Sequence, residues 1–308
     1  MDKHPLVMAA VLNYNGEKDS IECIRSIQSC NYPHLKILII DNGSRPDSVA
    51  ALRTAFPQME CVETHKNLGY AGGNNVAMRI ALEREIPYCL ILNNDTTIAP
   101  DMIGRLVDTA QEDDALAVIG PQVYRYEEPE TLFYPGWKID WEKWLFHRVP
   151  APENPPAVFD VDYVQGCGVL FRTAFLRGHG LFDEDFFLYC EDADICVRAQ
   201  RSGFRTVEIP AAKMWHKGYA SSGKDSPLKT YYGLRNRLLF IRKHAPRDRK
   251  FALVLRLLVF DARRQAWKHG TGLLKNPKTS FRHLRAICRA LWDHWRKHYG
   301  QGPKWLHK

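Results

Sequence analysis

Apolar and polar positions alternate in blocks along the first 125 residues of the chain. The apolar runs predict buried parallel strands at residues 6–12, 35–40, 61–63, 88–92 and 118–124. Amphipathic stretches between them predict helices at residues 17–29, 47–56, 74–84 and 100–112. Because strands and helices take turns, the pattern predicts a doubly wound α/β sheet.

The pattern changes after residue 125. Six prolines and three tryptophans interrupt residues 126–160, which predicts a long loop or a small hairpin insertion. Further on, the pattern predicts strands at 159–171 and 205–209, and helices at 173–177, 192–202, 228–243, 248–268 and 278–297. We therefore expect an α/β domain over residues 1–240 and a helical tail over residues 241–308.

Charge is unevenly divided in the 308-residue chain, whose net charge is +8. Residues 235–308 hold 20 Lys/Arg and 3 Asp/Glu, whereas residues 1–234 hold 23 and 32. A basic tail on an acidic body indicates a polyanionic partner for the tail. A nucleic-acid-binding protein is one class that such a tail suggests, although the acidic body argues against it.

An anionic membrane surface is the other partner that the tail suggests. The apolar run 251–260 is too short to span a bilayer, and basic residues and tryptophans flank it. This composition suits the headgroup region of an anionic leaflet. Packing of the tail on the catalytic domain, or in a homodimer, is the alternative.

The remaining composition predicts a cytoplasmic protein, peripheral on the inner face of the plasma membrane. No apolar run reaches 18 residues, and the N-terminus lacks the pattern of a signal peptide. The eight cysteines are scattered and form no C-x-x-C pair, as in buried thiols of a reducing compartment.

Polar side chains follow three of the predicted strands, as Asn13–Asn15, Asp41–Ser44 and Asn93–Asp95. Ligands of open α/β sheets bind beyond the carboxyl ends of the strands, so three such ends predict a site. Oxygen ligands such as those of Asn93 and Asp95 suit Mg²⁺ or Mn²⁺, and in an extended backbone the two would point the same way. An Asx-turn is the alternative.

Glycines and late polar residues provide further candidates. The stretch Asn67–Asn75 lies between a predicted strand and a helix, where its glycines would let the backbone approach a phosphate. A glycine-rich turn is the alternative. His216 is a candidate third metal ligand, and Arg235 and Arg237 are candidates for phosphate contacts, unless they lie on a solvated helix face.

An acidic run lies at the start of the helix predicted at 192–202. Glu191, Asp192 and Asp194 follow the aromatic residues Phe186, Phe187 and Tyr189. Acids favour a helix N-terminus, but three within four residues exceed what capping requires. Against apolar walls their carboxylates repel, so at least one is expected to act as a base.

The order of these motifs resembles the inverting glycosyltransferases of family 2, which have the GT-A fold. The motifs that carry the resemblance are VLNYNG (11–16), LIIDNGS (38–44), NLGYAGGNN (67–75), LILNNDT (90–96), GCGVLFR (166–172), GLFDEDFFLYCEDADICVR (180–198) and YYGLRNR (231–237). The glycine-asparagine stretch is most similar to the rhamnosyltransferase-like branch, whose donor is commonly dTDP-L-rhamnose.

The resemblance implies a Rossmann-like nucleotide-sugar-binding mixed sheet with helices on both faces, plus a C-terminal helical extension. It implies Asp192 as catalytic base, with a metal, Mg²⁺ or Mn²⁺, bound by Asp95, Asn93 and His216. Expected donor-binding residues are Asn13, Asn15, Asp41, Asn67, Gly69, Gly73, Asn74, Asn94 and Arg235. Expected acceptor-binding residues are Gly166, Glu191 and Trp215. Because Asn93 replaces the first acid of the family's D-x-D motif, Asp95 is expected to hold the metal almost alone.

The activity so implied is transfer of a sugar from a nucleotide-sugar donor to a hydroxyl of a glycan or lipid-linked saccharide, with inversion. Residue types alone leave open a retaining mechanism with a protein nucleophile; the resemblance decides against it. A sugar-phosphate nucleotidyltransferase is the alternative enzyme. That class is expected to carry a basic glycine-rich loop after the first strand, which residues 13–17 are not.

Overall fold

The computed structural model describes residues 4–134, 136–149, 154, 156–218, 226–262, 267 and 276–307. The chain forms two compact units that are interleaved in sequence. The first comprises residues 1–139, 146–183 and 192–221. The second comprises residues 140–145, 184–191 and 222–308.

A mixed sheet of ten strands forms the centre of the first unit. The strands in chain order, of which β8 and β9 form a separate pair, are β1 Val7–Asn13, β2 Leu35–Asp41, β3 Glu60–Glu63, β4 Tyr88–Asn93, β5 Thr96–Ile98, β6 Leu116–Arg125, β7 Leu132–Tyr134, β8 Trp137–Asp140, β9 Leu145–Arg148, β10 Phe159–Asp160, β11 Gly168–Arg172 and β12 Arg205–His216. β1 to β4 pair in parallel, and β11 runs antiparallel between β4 and β6. The predicted mixed α/β sheet is thus confirmed.

Buried apolar runs explain why these segments form strands. In β1 every residue from Val7 to Val11 is fully buried, as parallel strands covered on both faces require. The helices of the first unit are α1 Glu17–Gln28, α2 Pro46–Ala55, α3 Gly69–Glu83, α4 Met102–Glu112, α5 Thr173–His179 and α6 Glu191–Arg201. α1 and α4 contribute Ile24 and Ile103 to the same core as β1.

Three predicted boundaries were wrong. The stretch 159–171 is a strand only at its ends, β10 and β11, with irregular backbone between them. The glycine-rich stretch is not a loop, because α3 begins at Gly69 and includes those glycines. β12 continues from the predicted end at residue 209 to His216, past an irregularity in its pairing with β6.

Helices also dominate the second unit, which confirms the predicted helical C-terminal part. They are α7 Pro227–His244, α8 Lys250–Arg256, which continues as a π-helical turn over Leu257–Ala262, and α9 Pro277–Trp295. Ser226 and Asn276 cap α7 and α9, and each helix has a proline in its first turn. Of the helix predicted at 248–268, residues 263–266 and 268 lie outside the described residues.

Candidate active site

A histidine and a carboxylate meet where β4, β5 and β12 come together. Asn94 and Asp95 form the tight turn between β4 and β5, so the backbone there is not the extended one in which Asn93 and Asp95 would point the same way. β5 pairs with β12 so that Thr96 lies opposite His216. Nε2 of His216 is therefore 3.1 Å from Oδ1 of Asp95, and the two side chains are only 11% and 8% exposed. We call Asp95 and His216 the metal pair.

The two members of the metal pair shift each other's pKa. Burial alone would raise the pKa of Asp95, but the hydrogen bond and charge of His216 lower it below its ordinary value. Burial would lower the pKa of His216, but the neighbouring Cys167 and Asp95 raise it to about 10. Without a metal, the pair is therefore a carboxylate and an imidazolium at neutral pH.

The geometry of the metal pair fits two adjacent ligands of one divalent ion. Octahedral ligands about 2.1 Å from a metal are about 3.0 Å from each other, close to the 3.1 Å between Oδ1 and Nε2. Within the described part of the chain, no group of three His, Cys, Asp or Glu residues could hold a metal. A two-ligand site fits an ion that takes its other ligands from phosphate and water.

Asp192 is the second residue of α6, and its carboxylate is fixed by backbone N–H groups. Oδ1 accepts a hydrogen bond from the amide of Ala193 at 2.8 Å, and Oδ2 accepts one from Gly166 at 3.2 Å. Burial raises the pKa of Asp192 above its ordinary value, although these hydrogen bonds oppose the rise. A half-buried carboxylate with a raised pKa is suited to accept a proton.

The dipeptide Gly166–Cys167 connects Asp192 with the metal pair. Gly166 donates to Asp192, as described above, and the thiol of Cys167 lies beside His216. The carbonyl oxygen of Cys167 accepts the backbone N–H of Asn93 at 2.9 Å. The structure thus gathers the predicted base and the predicted metal ligands around two residues of one loop.

The side chains at the ends of β1 and β2 form a buried network. Nδ2 of Asn13 donates to Oδ1 of Asp41 at 2.9 Å, and the amide of Ser44 donates to Oδ2 at 3.0 Å. Asn13 is fully buried, so it orients Asp41. Nδ2 of Asn94 donates to the carbonyl oxygen of Gly16 at 3.2 Å, which joins the turn after β4 to the loop after β1. Exposed Asn15 lies in that loop, and its side chain accepts the backbone N–H of residue 45.

The residues predicted around the glycine-rich stretch have mainly structural contacts. Oδ1 of Asn67 accepts a hydrogen bond from the amide of Gly69 at 2.8 Å, and the φ of Gly69 is +76°, a value that favours glycine. A Cβ on Gly73 would lie 2.6 Å from a methyl carbon of Leu12, so the side chain of Leu12 would have to shift to admit one. Asn74 is fully buried and donates within α3. Asn42, which belongs to the predicted polar strand end but had no predicted role of its own, accepts a hydrogen bond from the amide of residue 68 and donates one to the carbonyl oxygen of residue 69.

Three other predicted site residues lie in different surroundings. Arg235 is fully buried in the second unit, and its guanidinium donates to the carbonyl oxygens of Gly300, Asp185 and residue 186. These contacts give Arg235 a structural role and leave it no exposed surface for a phosphate. Glu191, the first residue of α6, is buried. Nε1 of Trp215 donates to the carbonyl oxygen of residue 129.

A strained segment, residues 185–190, leads into α6. Phe187, Tyr189 and Cys190 have φ values of 63°, 72° and 73°, the left-handed region that costs free energy for residues other than glycine. Nδ2 of Asn236 donates to the carbonyl oxygens of residues 186, 188 and 189 at 2.8, 2.7 and 2.8 Å. Sequence reasoning missed Asn236, although it lies within the motif YYGLRNR.

Several proteins with similar sequences are sugar transferases. The N-acetylglucosaminyl-diphospho-decaprenol L-rhamnosyltransferase of Mycobacterium tuberculosis is 26% identical over 217 residues, which cover 62% of this chain and 69% of that protein. The dTDP-rhamnosyl transferase RfbF of Shigella flexneri is 22% identical, and the match covers 93% of this chain and 94% of that protein.

A solved structure and a family profile extend these similarities. The mannosyltransferase PcManGT of Pyrobaculum calidifontis, solved with GDP-Man and Mn²⁺, shares the fold with a TM-score of 0.60 at 17% identity, over 94% of this chain and 88% of that one. Residues 9–176, more than half of the chain, match the profile of Glycosyl transferase family 2. This chain therefore belongs to glycosyl transferase family 2 and, with its rhamnosyltransferase relatives, to the rhamnosyltransferase-like branch.

Proposed function

We propose that this glycosyltransferase moves a sugar from a nucleoside-diphosphate donor, best dTDP-L-rhamnose, to a hydroxyl of a glycan or lipid-linked saccharide. The step inverts the anomeric carbon and serves the synthesis of a polysaccharide or cell-envelope glycan. The main support for the proposal is that one dipeptide, Gly166–Cys167, contacts both Asp192 and His216. The rhamnosyltransferase names of two relatives support the choice of donor.

Asp192 is the proposed base. Its carboxylate accepts the proton of the acceptor hydroxyl as that oxygen attacks the anomeric carbon and the bond to the diphosphate breaks. The backbone N–H groups of Gly166 and Ala193 hold the carboxylate during this step. A single displacement on one face of the sugar inverts the configuration. Gly166, Glu191 and Trp215 remain the proposed contacts of the acceptor.

The metal pair, with Asn93, is the proposed holder of Mg²⁺ or Mn²⁺. When bound, such an ion neutralises the charge that develops on the departing diphosphate. Asp41, oriented by Asn13, is proposed to contact the base or ribose of the donor. The remaining proposed donor residues, excluding buried Arg235, are Asn15, Asn67, Gly69, Gly73, Asn74 and Asn94.

We also propose that the second unit binds an anionic membrane surface on its cytoplasmic side, where a lipid-linked acceptor is presented. In α8 and its continuation, Phe251, Leu255 and Val259 recur every fourth residue and are 79%, 50% and 42% exposed. Trp292 and Trp295 of α9 are also exposed, and most of the chain's excess positive charge lies in the same unit. Within the described residues, no helix combines the length and apolar character needed to cross a membrane.

A screen of nucleotide sugars tests the proposed activity. Each donor is incubated with saccharide acceptors, with Mg²⁺ or Mn²⁺ and with EDTA, and release of the nucleoside diphosphate is measured. We expect metal-dependent release that is fastest with dTDP-L-rhamnose. A clear preference for UDP-glucose, UDP-galactose or GDP-mannose would contradict the proposed donor but not the proposed sugar transfer. No turnover of any nucleotide sugar would contradict the proposed transfer.

A further inference from the structure

A cavity of about 940 Å³ lies wholly within the second unit. The second half of α7, the last turns of α9 and the segment that follows α9 line it. Its basic lining residues are Arg242, Lys243, Arg289, Lys297 and Lys304. The carboxylates in the lining are those of Asp185 and Asp293.

The two carboxylates are already engaged by neighbours. Asp293 is 2% exposed, and its Oδ2 accepts hydrogen bonds from Oη of Tyr231 at 2.6 Å and from Nε of Arg289 at 2.9 Å. Asp185 lies 3.8 Å from Nζ of Lys243. His298, which also lines the cavity, lies 3.8 Å from Oδ1 of Asp293, so each carboxylate has at least one basic neighbour in the cavity.

Three cations of the cavity therefore lack a matching charge. Among the described residues, no carboxylate forms an ion pair with Arg242, Lys297 or Lys304. The dipole of α7 favours Arg242, which lies in its last turn, whereas Lys304 is the first residue of a short 3₁₀ helix, Lys304–Leu306. Arg242 is held in place by its hydrogen bond to Oη of Tyr299 at 2.9 Å.

We propose that this cavity binds a diphosphate group. Guanidinium and ammonium donors around a concave site match the charge and the several oxygens of a diphosphate, and they need no metal. A neutral saccharide would leave the like charges of Arg242, Lys297 and Lys304 uncompensated. The diphosphate is that of a lipid-linked acceptor, an assignment that rests on the proposed function. The name of the mycobacterial relative states the same diphosphate linkage.

Calorimetric titrations in EDTA at low salt test the proposal. EDTA removes divalent metal ions, so a metal-dependent donor site does not bind the probes under these conditions. The probes are inorganic pyrophosphate and farnesyl diphosphate, a short soluble lipid diphosphate. The double variant Lys297→Ala, Lys304→Ala is compared with the matched control Lys278→Ala, Arg282→Ala, whose exposed cations lie on α9 outside the cavity. We expect the wild type and the control to bind both probes, and the double variant to bind at least about tenfold more weakly.

Equal affinities in all three proteins, or no binding of either probe by the wild type, would overturn the proposal. Binding of pyrophosphate without farnesyl diphosphate would overturn the lipid-linked source. A further arm uses phosphatidylglycerol vesicles. Binding to these alone, lost in Lys297→Ala, Lys304→Ala and kept in the control, would assign the cavity to a phospholipid headgroup and so overturn the proposal. None of these titrations measures sugar transfer. An enzyme that binds diphosphate yet transfers no sugar would therefore contradict only the proposed function.

Discussion

Asp95 and His216 are 121 residues apart in sequence, yet Oδ1 and Nε2 are 3.1 Å apart. The pairing of β5 with β12 produces this proximity. The separation suits two ligands of one ion, and the raised pKa of His216 means that a metal must displace a proton. The proposal that a metal binds here therefore predicts that its binding releases a proton.

We predict that Mn²⁺ binds more tightly as the pH rises from 6 to 8. The neutral imidazole is the metal-binding form, and its pKa of about 10 keeps His216 protonated across this range. Each pH unit should therefore increase the affinity by up to about tenfold. Calorimetry in buffers of different ionisation enthalpy measures both the affinity and the released proton.

Asp95→Ala should abolish this binding, and His216→Gln should weaken it and remove its pH dependence. Asp101→Ala, which alters an exposed carboxylate at the start of α4, is the control and should bind as the wild type does. Unchanged Mn²⁺ affinity in Asp95→Ala would show that the metal pair is not a metal site.

At the scale of elements, the sequence predicts those helices and strands that the local pattern of apolar and polar residues determines. β1, β2 and β4 are continuous apolar runs, so their ends, and with them Asn13, Asp41 and Asn93, could be located from sequence. The glycine-rich stretch was assigned to a loop because its glycines disfavour a helix, but burial of α3 against the sheet prevails over that propensity. His216 belongs to β12 only because the strand continues past a pairing irregularity, which no local signal reveals.

The strained segment could not be predicted from sequence at all. Asn236 follows it by some 50 residues and holds three of its carbonyl oxygens, and buried Arg235 holds two. These hydrogen bonds compensate in part for the left-handed backbone at Phe187, Tyr189 and Cys190. Because the segment leads directly into α6, its conformation helps to set the position of Asp192, the second residue of that helix.

We predict that Asn236→Ala lowers kcat about 10- to 100-fold, while the donor KM changes less than about threefold. The carbonyl oxygens of residues 188 and 189 lose this donor, while that of residue 186 keeps the guanidinium of Arg235, so the segment relaxes and Asp192 is displaced. The free energy of unfolding should fall by roughly 1–3 kcal/mol. Steady-state kinetics below the melting temperature, together with thermal unfolding, measure the two effects.

Asn31→Ala, which alters an exposed asparagine of the first unit, is the control and should change neither quantity. A destabilised Asn236→Ala enzyme with the kcat of the wild type would show that Asn236 stabilises the fold without positioning Asp192. An unchanged pH profile of kcat/KM in Asn236→Ala would also show that Asn236 does not position Asp192.

At the scale of the whole molecule, exposed apolar side chains and positive charge are concentrated in the second unit. We predict that the protein co-sediments with phosphatidylglycerol vesicles at low salt, less at high salt, and little with phosphatidylcholine vesicles. Replacing Phe251, Leu255 and Val259 by serine should reduce the bound fraction severalfold, because their exposed surface would no longer enter the headgroup region.

Leu6→Ser is the matched control, since Leu6 is a 39% exposed leucine of the first unit. It should leave vesicle binding unchanged. Equal recovery of all proteins in the soluble fraction, with every vesicle and salt concentration, would contradict the membrane proposal.

The central claim is that Asp192 removes the proton of the acceptor hydroxyl during transfer from a nucleotide sugar. Its most direct test is the rate of transfer by wild type and Asp192→Asn, side by side, from pH 4 to 8 with the preferred donor. Only the deprotonated carboxylate acts as a base, and burial raises its pKa, so wild-type kcat/KM should fall as the pH drops through a value above that of an ordinary aspartate. The amide keeps the shape but accepts no proton, so Asp192→Asn should lose about 10²- to 10⁴-fold in kcat while binding the donor as tightly. Retention of most of the wild-type kcat by Asp192→Asn would contradict the account.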